Sequence, residues 1–504
     1  MYYLKKYYYL FALVLFTATL GWSYAVLLGG GYNPTLKDAV LLSLLVVATT
    51  SSKKFFYFIG IPVFGLMSLY FPIGMNYGSV SFQHISSLIA TDVSETAEFF
   101  TTIPLKDLCL GLLLFLELPI CYFFQRSLNI NFFRNKTFVI ISLFYLCVSY
   151  GPFQGPKDTY KATKEVLKEL HTLNGNDLPS KWQIKSAQPS YKNHILIIGE
   201  SVRRDYMGIY GYPIENTPFL SSVNATIIEG LTGSDTYTIG ALRVMLTKTS
   251  SLSEANYSLS LMDLAKAGKF STAWISNQGF LGKFDTQVST LAKKAERVHF
   301  LKYGDYVSNN LDDEELLPYL QKELNREDER SKLIVLHLMG SHVSPCERLH
   351  NYPIIVENFD QSKKLIACYI TSIRKTDDLI KKVYLMLKER QTKNNESFSL
   401  IYTSDHGLCM QNDPNGNLTM TNGCISRWHR DLPLIKISSD DNEKKYIKAK
   451  KYSNNFVEGI AEWMGITTTI FVHPKSLFNE NNQDDDLKIE EKVKEGILDY
   501  AISF

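Results

Sequence analysis

The sequence predicts an α-helical transmembrane bundle of five helices, followed by an α/β/α sandwich with a mostly parallel sheet. Two observations carry this prediction. Roughly the first 150 of the 504 residues are apolar with few charges, whereas the rest has the mixed composition of a soluble globular domain. In that second part, short β-rich apolar runs alternate with helical patterns, as in a sheet whose two faces are both covered. The net charge of +2 gives no basic field of the kind that nucleic-acid binding needs.

The apolar part contains five segments, at about 8–29, 36–51, 55–74, 107–125 and 137–153. Most approach the roughly 20 residues of a spanning helix, and the second is the shortest. Four further apolar segments after the first exclude a cleavable signal followed by soluble sequence. With five spans, Lys5 and Lys6, Lys53 and Lys54, and Arg126, Arg134 and Lys136 all fall on one face. The excess of basic residues makes that face cytoplasmic. The 75–106 loop and everything after residue 154 then face the periplasm. In the loop, Ile85, Leu88, Ile89, Thr91, Asp92, Glu95, Ala97, Phe99 and Phe100 follow an amphipathic helical pattern. Such a helix either lies on the membrane or helps to hold a lipid headgroup. The expected organisation is a transmembrane domain over 1–154, a polar linker over 155–190 with a helix around 160–172, and a periplasmic catalytic domain over 191–504.

Strands are predicted at His194–Ile198, Ser271–Ile275, Leu333–Leu338, Phe398–Tyr402 and Leu432–Ile437. A long helix is predicted over 363–389, where Ile366, Ile370, Ile373, Ile380, Tyr384 and Leu387 keep helical spacing. Ligands of such sheets bind beyond the carboxyl ends of the strands. The first strand runs into Glu200, the third into Gly340, Ser341 and His342, and the fourth into Asp405 and His406. Two carboxylates and two imidazoles therefore converge on one rim. Glu200, Asp405 and His406 offer oxygen and nitrogen donors of the kind that bind zinc. An adjacent Asp-His pair is more often structural, and its place at a strand end beside a second acid is what singles it out. His342 is a candidate general acid or a ligand of a second metal.

Seven cysteines divide along the same line. Cys109, Cys121 and Cys147 lie in apolar runs and behave as small hydrophobes. Cys346, Cys368, Cys409 and Cys424 allow three pairings in an oxidising periplasm. Cys346–Cys368 and Cys409–Cys424 are favoured because each closes a modest local loop.

The stretch Gly-Glu-Ser-Val-Arg-Arg-Asp-Tyr-Met-Gly-Ile-Tyr-Gly-Tyr-Pro at 199–213, followed by Asn216-Thr217-Pro218-Phe219-Leu220, resembles the phosphoethanolamine transferases. These are inner-membrane, lipopolysaccharide-modifying enzymes of the alkaline phosphatase and sulfatase superfamily. Trp274-Ile275-Ser276-Asn277-Gln278, Gly340-Ser341-His342 and Ser404-Asp405-His406-Gly407 extend the likeness, as does the Thr91-Asp92-x-x-Glu95 run. The resemblance implies a threonine nucleophile, Thr238, with Thr236 as the alternative. It implies zinc held by Glu200, Thr238, Asp405 and His406, and leaves a second zinc possible. His342 matches a family histidine near the substrate phosphate. Substrate-binding roles fall on Ser87, Thr91, Glu95, Asn277 and His429.

The implied reaction moves phosphoethanolamine from phosphatidylethanolamine onto a lipopolysaccharide or other glycan acceptor through a covalent intermediate on threonine. Leu408 stands where the family often has an acid, and Ser234, Arg243 and Val244 stand where lipid A modifiers carry cysteines and a proline. Those departures favour a core sugar over lipid A as the acceptor. The sulfatase pattern Cys/Ser-x-Pro-x-Arg is absent. A phosphoglycerol transferase or phosphodiesterase with the same metal site, and a non-catalytic membrane assembly protein, are the alternatives.

Overall fold

The structure, a computed structural model, describes residues 8–90, 96–97, 99–100, 103–127, 135–174, 178–278, 287–301, 311–412, 418–421, 424–471 and 474–504. The chain forms two compact units, Met1–Ser86 with Ala97–Lys168, and Ser87–Thr96 with Glu169–Phe504.

The first unit is helical. It contains α1 (Tyr8–Gly29), α2 (Leu36–Thr50), α3 (Lys53–Tyr77), the start of α4 (Phe82–Ala90), α5 (Leu105–Ser127), α6 (Lys136–Val148) and the first turns of α7 (Gly151–Asn174). Pro62 cannot donate a backbone hydrogen bond, and α3 widens into a π-helix over Phe56–Gly65 around it. Trp22, Leu42, Phe56, Phe64, Leu114 and Leu118 pack together at the centre. Two donors buried there are paired: Trp22 Nε1 donates to the Leu114 carbonyl at 2.7 Å, and the Gln125 amide nitrogen donates to the Thr50 hydroxyl at 2.7 Å. Large apolar side chains such as Phe58, Leu66 and Phe123 point outward, as they would toward lipid.

By length and composition α3 and α5 can each cross a membrane, and α6 with the start of α7, bent by 55°, forms a third candidate. Five spans were expected, and this criterion meets two or three among the described residues. The 15 residues of α2 reach only about 22 Å, short of a hydrocarbon core. The break after Val148 cuts the segment expected at 137–153. Within the stretch expected as linker, α7 runs unbroken from Gly151, and Ile184–Ala187 pairs with Ile466–Thr468 in a two-stranded sheet.

The second unit is built on one nine-stranded sheet. Its strands are β1 (Asn193–Gly199), β2 (Thr226–Thr232), β3 (Ser271–Ser276), β4 (Arg297–Phe300), β5 (Lys332–His337), β6 (Phe398–Ser404), β7 (Asp431–Ser438), β8 (Lys445–Ile447) and β9 (Lys451–Tyr452). The order is β8-β2-β7-β6-β1-β5-β3-β4, with β9 also beside β2. Side chains alternate cleanly between two cores. Leu196, Ile198, Leu333, Val335 and Ile401 enter one, and Ile195, Ile197, Ile334, Leu336 and Leu400 enter the other. Burial on both faces is what makes these runs continuously apolar.

Each of the five predicted strands is present. The sheet is mixed, however, because β7 runs antiparallel to both β6 and β2 while the remaining pairings are parallel. Strand β2 escapes prediction because Glu229 and Gly230 interrupt its apolar run. Gly230 is there for space: a Cβ would sit 2.4 Å from the Ala449 carbonyl oxygen. Helix α8 (Thr238–Met245) and the 31-residue α9 (Lys364–Asn394) complete the frame around the site. Both favoured disulfides are formed, Cys346–Cys368 with Cα atoms 4.9 Å apart and Cys409–Cys424 with Cα atoms 5.8 Å apart.

Candidate metal centre and active site

Strands β1 and β6 are parallel neighbours with Gly199 opposite Ser404, so Glu200 and Asp405 leave the sheet side by side. Ser201 then takes a left-handed conformation, φ 60°, which turns the chain sharply. Its backbone N–H donates to Asp405 Oδ1 at 3.1 Å and its hydroxyl to Glu200 Oε1 at 2.6 Å. Thr238 opens α8, and its hydroxyl donates to Glu200 Oε2 at 3.0 Å while lying 3.3 Å from His406 Nε2. His406 Nε2 is 3.2 Å from Glu200 Oε1 and 3.5 Å from Asp405 Oδ2. The four groups named from the sequence therefore meet at one point.

This group suits a divalent cation. One ligand atom from each of Glu200, Asp405 and His406 lies within 4.8 Å of the others, and all three residues are buried. Asp405 Oδ2 is buried and accepts no hydrogen bond. His406 Nδ1, 2.7 Å from the Gly407 carbonyl, carries a hydrogen, which turns Nε2 toward the carboxylates. Electrostatics agree. Burial raises the Asp405 carboxyl well above its ordinary range, and the charge of Glu200 adds to this. Burial works the same way on Glu200, but the His406 imidazolium outweighs it and holds that carboxyl well below its ordinary range. Burial disfavours the charged His406, yet the two carboxylates lift it to about 9. Two buried acids this close call for positive charge between them.

The surrounding residues fix the arrangement. Gln278, which the sequence reading quoted but gave no role, donates from Nε2 to Glu200 Oε2 at 2.7 Å and to the Leu338 carbonyl at 2.6 Å. Its neighbour Asn277 is buried, with its amide donating to the Leu311 carbonyl and to Asp313 Oδ1, each at 2.8 Å. Alternation at the end of β3 sends the two amides to different sides, and Gln278 is the one that reaches the group. Asp313 also accepts from the backbone N–H groups of Met339 and Gly340, both at 2.8 Å. That loop carries His342. Ser341 N–H donates to the Glu200 carbonyl at 3.0 Å, and the charge of His342 helps to keep Glu200 ionised.

His429 is buried against the Asp-His-Gly turn, where its carbonyl accepts from Gly407 N–H at 2.7 Å. Its Nδ1 accepts from Ser426 N–H at 3.0 Å, so Nε2 carries the hydrogen, and this buried nitrogen has no hydrogen-bond partner. The backbone N–H of Thr236, the alternative nucleophile, donates to Asp235 Oδ1 at 2.9 Å. Ser87 is half-buried on α4, and Thr91 and Glu95 lie outside the described residues.

The sulfatase family pattern matches residues 192–466, the body of the second unit. A Haemophilus influenzae protein assigned to the phosphoethanolamine transferases is 39% identical over 401 residues, covering 77% of this chain and 82% of its own. Phosphoethanolamine transferase OpgE of Escherichia coli is 31% identical over 421 residues, covering 79% of this chain and 78% of its own. The chain belongs to the phosphoethanolamine transferase family. The fold extends to both units: lipooligosaccharide phosphoethanolamine transferase A of Neisseria meningitidis superposes with a TM-score of 0.57 at 16% identity, over 90% of this chain and 96% of that one. In this chain the buried Glu200, Asp405 and His406 group has the Thr238 hydroxyl against it at the carboxyl ends of β1 and β6.

Proposed function

We propose that the chain transfers phosphoethanolamine from phosphatidylethanolamine to a periplasmic glycan or lipopolysaccharide acceptor, a core sugar rather than lipid A, through an intermediate on Thr238. The observation that carries this reading is the Thr238 hydroxyl within 3.0 Å of Glu200 and 3.3 Å of His406, beside a buried donor set of metal-binding chemistry. Glu200, Thr238, Asp405 and His406 are the residues that would hold zinc. When bound, the ion supplies charge neutralisation at the phosphoryl group and a lowered effective pKa for the threonine hydroxyl.

In the first step Thr238 Oγ1 passes its proton to Glu200 Oε2, the acceptor of its hydrogen bond, and bonds to phosphorus. The phosphorus–oxygen bond to diacylglycerol breaks, and the leaving oxygen receives a proton from His342. In the second step an acceptor hydroxyl attacks the same phosphorus and His342 takes its proton, while Thr238 regains its own from Glu200 as its bond to phosphorus breaks. The buried Nε2–H of His429 is a donor suited to a phosphoryl oxygen, and Asp313 steadies the loop that presents His342.

Residues 1–154 serve as a multi-pass inner-membrane anchor in this reading, and residues 191–504 form the catalytic domain on the periplasmic side. Anchoring confines the site near a leaflet, which suits a lipid donor. Thr91 and Glu95, with Ser87, would meet the ethanolamine headgroup.

The test is to incubate the purified, zinc-loaded chain with phosphatidylethanolamine and weigh the peptide that contains Thr238. A phosphoethanolamine adduct supports donor, nucleophile and reaction class together, and the Thr238→Ala variant should show neither adduct nor transfer. An unmodified peptide from folded zinc-loaded protein would overturn the donor.

A further inference from the structure

The segment Gly496–Ile502, which the function above leaves unused, crosses every loop that carries a residue of the metal group except that of Thr238. At its middle, Asp499 meets Arg203, three residues beyond Glu200 and fully buried. All five N–H donors of the Arg203 guanidinium are used. Nη1 reaches Asp499 Oδ2 at 2.8 Å and the Leu408 carbonyl at 3.2 Å. Nη2 reaches the Asp499 carbonyl and Asp205 Oδ2, each at 2.7 Å, and Nε reaches Asp205 Oδ1 at 3.0 Å. Leu408 follows the Asp405-His406-Gly407 turn, so one guanidinium ties the Glu200 loop to the Asp405-His406 loop.

Asp499 extends the tie. Its Oδ2 also accepts from Met410 N–H at 2.7 Å, and its Oδ1 accepts from the Ser426 hydroxyl. Ser426 in turn caps the short turn that carries His429. On either side of Asp499 the segment is pinned again. Ile497 N–H donates to the Ile425 carbonyl at 2.8 Å, and Arg427 N–H donates to the Ile497 carbonyl at 3.1 Å. Ile502 N–H donates to the Tyr206 hydroxyl at 2.9 Å, and the Tyr212 hydroxyl donates to the Ile502 carbonyl at 2.6 Å.

We infer that Gly496–Ile502 is a strap that holds the metal-ligand loops in register, with Asp499 as a positioning residue acting through Arg203. The inference rests on the proposed metal reading. The physical reason is that Glu200 and Asp405 repel one another across the group, while the loops that bear them end separate strands. A buried guanidinium bonded to both loops, and neutralised from the strap, opposes that repulsion from behind without entering the site. Partners of this kind commonly change metal affinity by tenfold or more when removed.

The experiment uses the full chain and two variants, Asp499→Asn and Tyr212→Phe, titrated with zinc against a chromophoric chelator. Folding is followed by thermal melting in excess zinc. Asp499→Asn should weaken zinc binding at least tenfold and lower kcat, with KM for phosphatidylethanolamine changed less than twofold. Tyr212→Phe frees one end of the strap without stranding a buried charge, and should weaken zinc binding in the same direction by about twofold to threefold. If Asp499→Asn fails to fold, the Tyr212→Phe titration decides alone. Zinc affinity equal to the parent in a folded variant overturns the strap and leaves the metal reading standing. A parent chain that holds no zinc overturns both.

Discussion

Glu200, Asp405 and His406 were legible because each follows a largely apolar run, and a strand end is where a parallel sheet presents its ligands. Thr238 needed the family resemblance, since nothing in its own neighbourhood marks it off from Thr236. Gln278 went unassigned although its motif was quoted, because only the register of β3 decides which of two adjacent amides reaches Glu200. Gln278→Ala should therefore cost ten- to a hundredfold in kcat, the usual range for a group that orients a metal ligand. Asn277→Ala should behave differently. Losing the tie to Asp313 should lower stability by about 1–3 kcal/mol, read by thermal melting, with KM for the lipid donor unchanged. A raised KM would restore Asn277 as a substrate contact. Asp377 supplies a pH dependence. It accepts from Phe219 and Leu220 N–H at 2.8 and 3.0 Å, but burial outweighs those bonds and lifts its carboxyl from 3.8 to about 6. Between those values the folded chain holds a proton that the unfolded chain has lost. Stability should then fall as pH rises from about 4 to 6, by at most about 3 kcal/mol. Asp377→Asn should flatten that slope in melts run across the window.

At the scale of elements, turns matter more than strands. Gly340 sits at φ 49°, and a Cβ there would lie 2.9 Å from Glu200 N. Gly340→Ala should push the His342 loop off the Glu200 backbone and reduce transfer more than tenfold while leaving zinc bound, which activity and metal analysis together would reveal. The Cys346–Cys368 bridge anchors the start of α9, where Tyr369 OH donates to the Ser201 carbonyl at 2.7 Å and accepts from Arg203 N–H at 2.9 Å. With its ends separated by 22 in sequence, this bridge should be worth about 3 kcal/mol against unfolding. The double variant Cys346→Ala with Cys368→Ala should lose that much in thermal or denaturant melts yet still bind zinc. Pattern reading found the strand β7 but not its direction. An apolar run reads the same both ways, and only its pairing with β6 and β2 shows that it is reversed.

At the scale of the whole molecule, the membrane part poses the sharpest test. Three or five spans put the chain's beginning and its soluble unit on opposite sides of the membrane, whereas two would put them together. Single cysteines placed at Lys54 and at Lys181 should react oppositely with an impermeant maleimide in intact spheroplasts, with only the second labelled. Labelling at both sites would overturn the periplasmic placement. The sequence by itself determined which residues are apolar, where five of the nine strands of the main sheet lie, and which acids and imidazoles stand at the ends of three of them, because these follow from local periodicity and solvation. Tertiary structure alone decided what those ends meet. The junction of the Glu200 and Asp405 loops, the approach of Thr238 to Glu200 and His406, the amide of Gln278 and the hold of Asp499 on Arg203 all join residues far apart in the chain. Such contacts are set by strand order and direction, and no local pattern encodes the order in which parallel strands lie side by side.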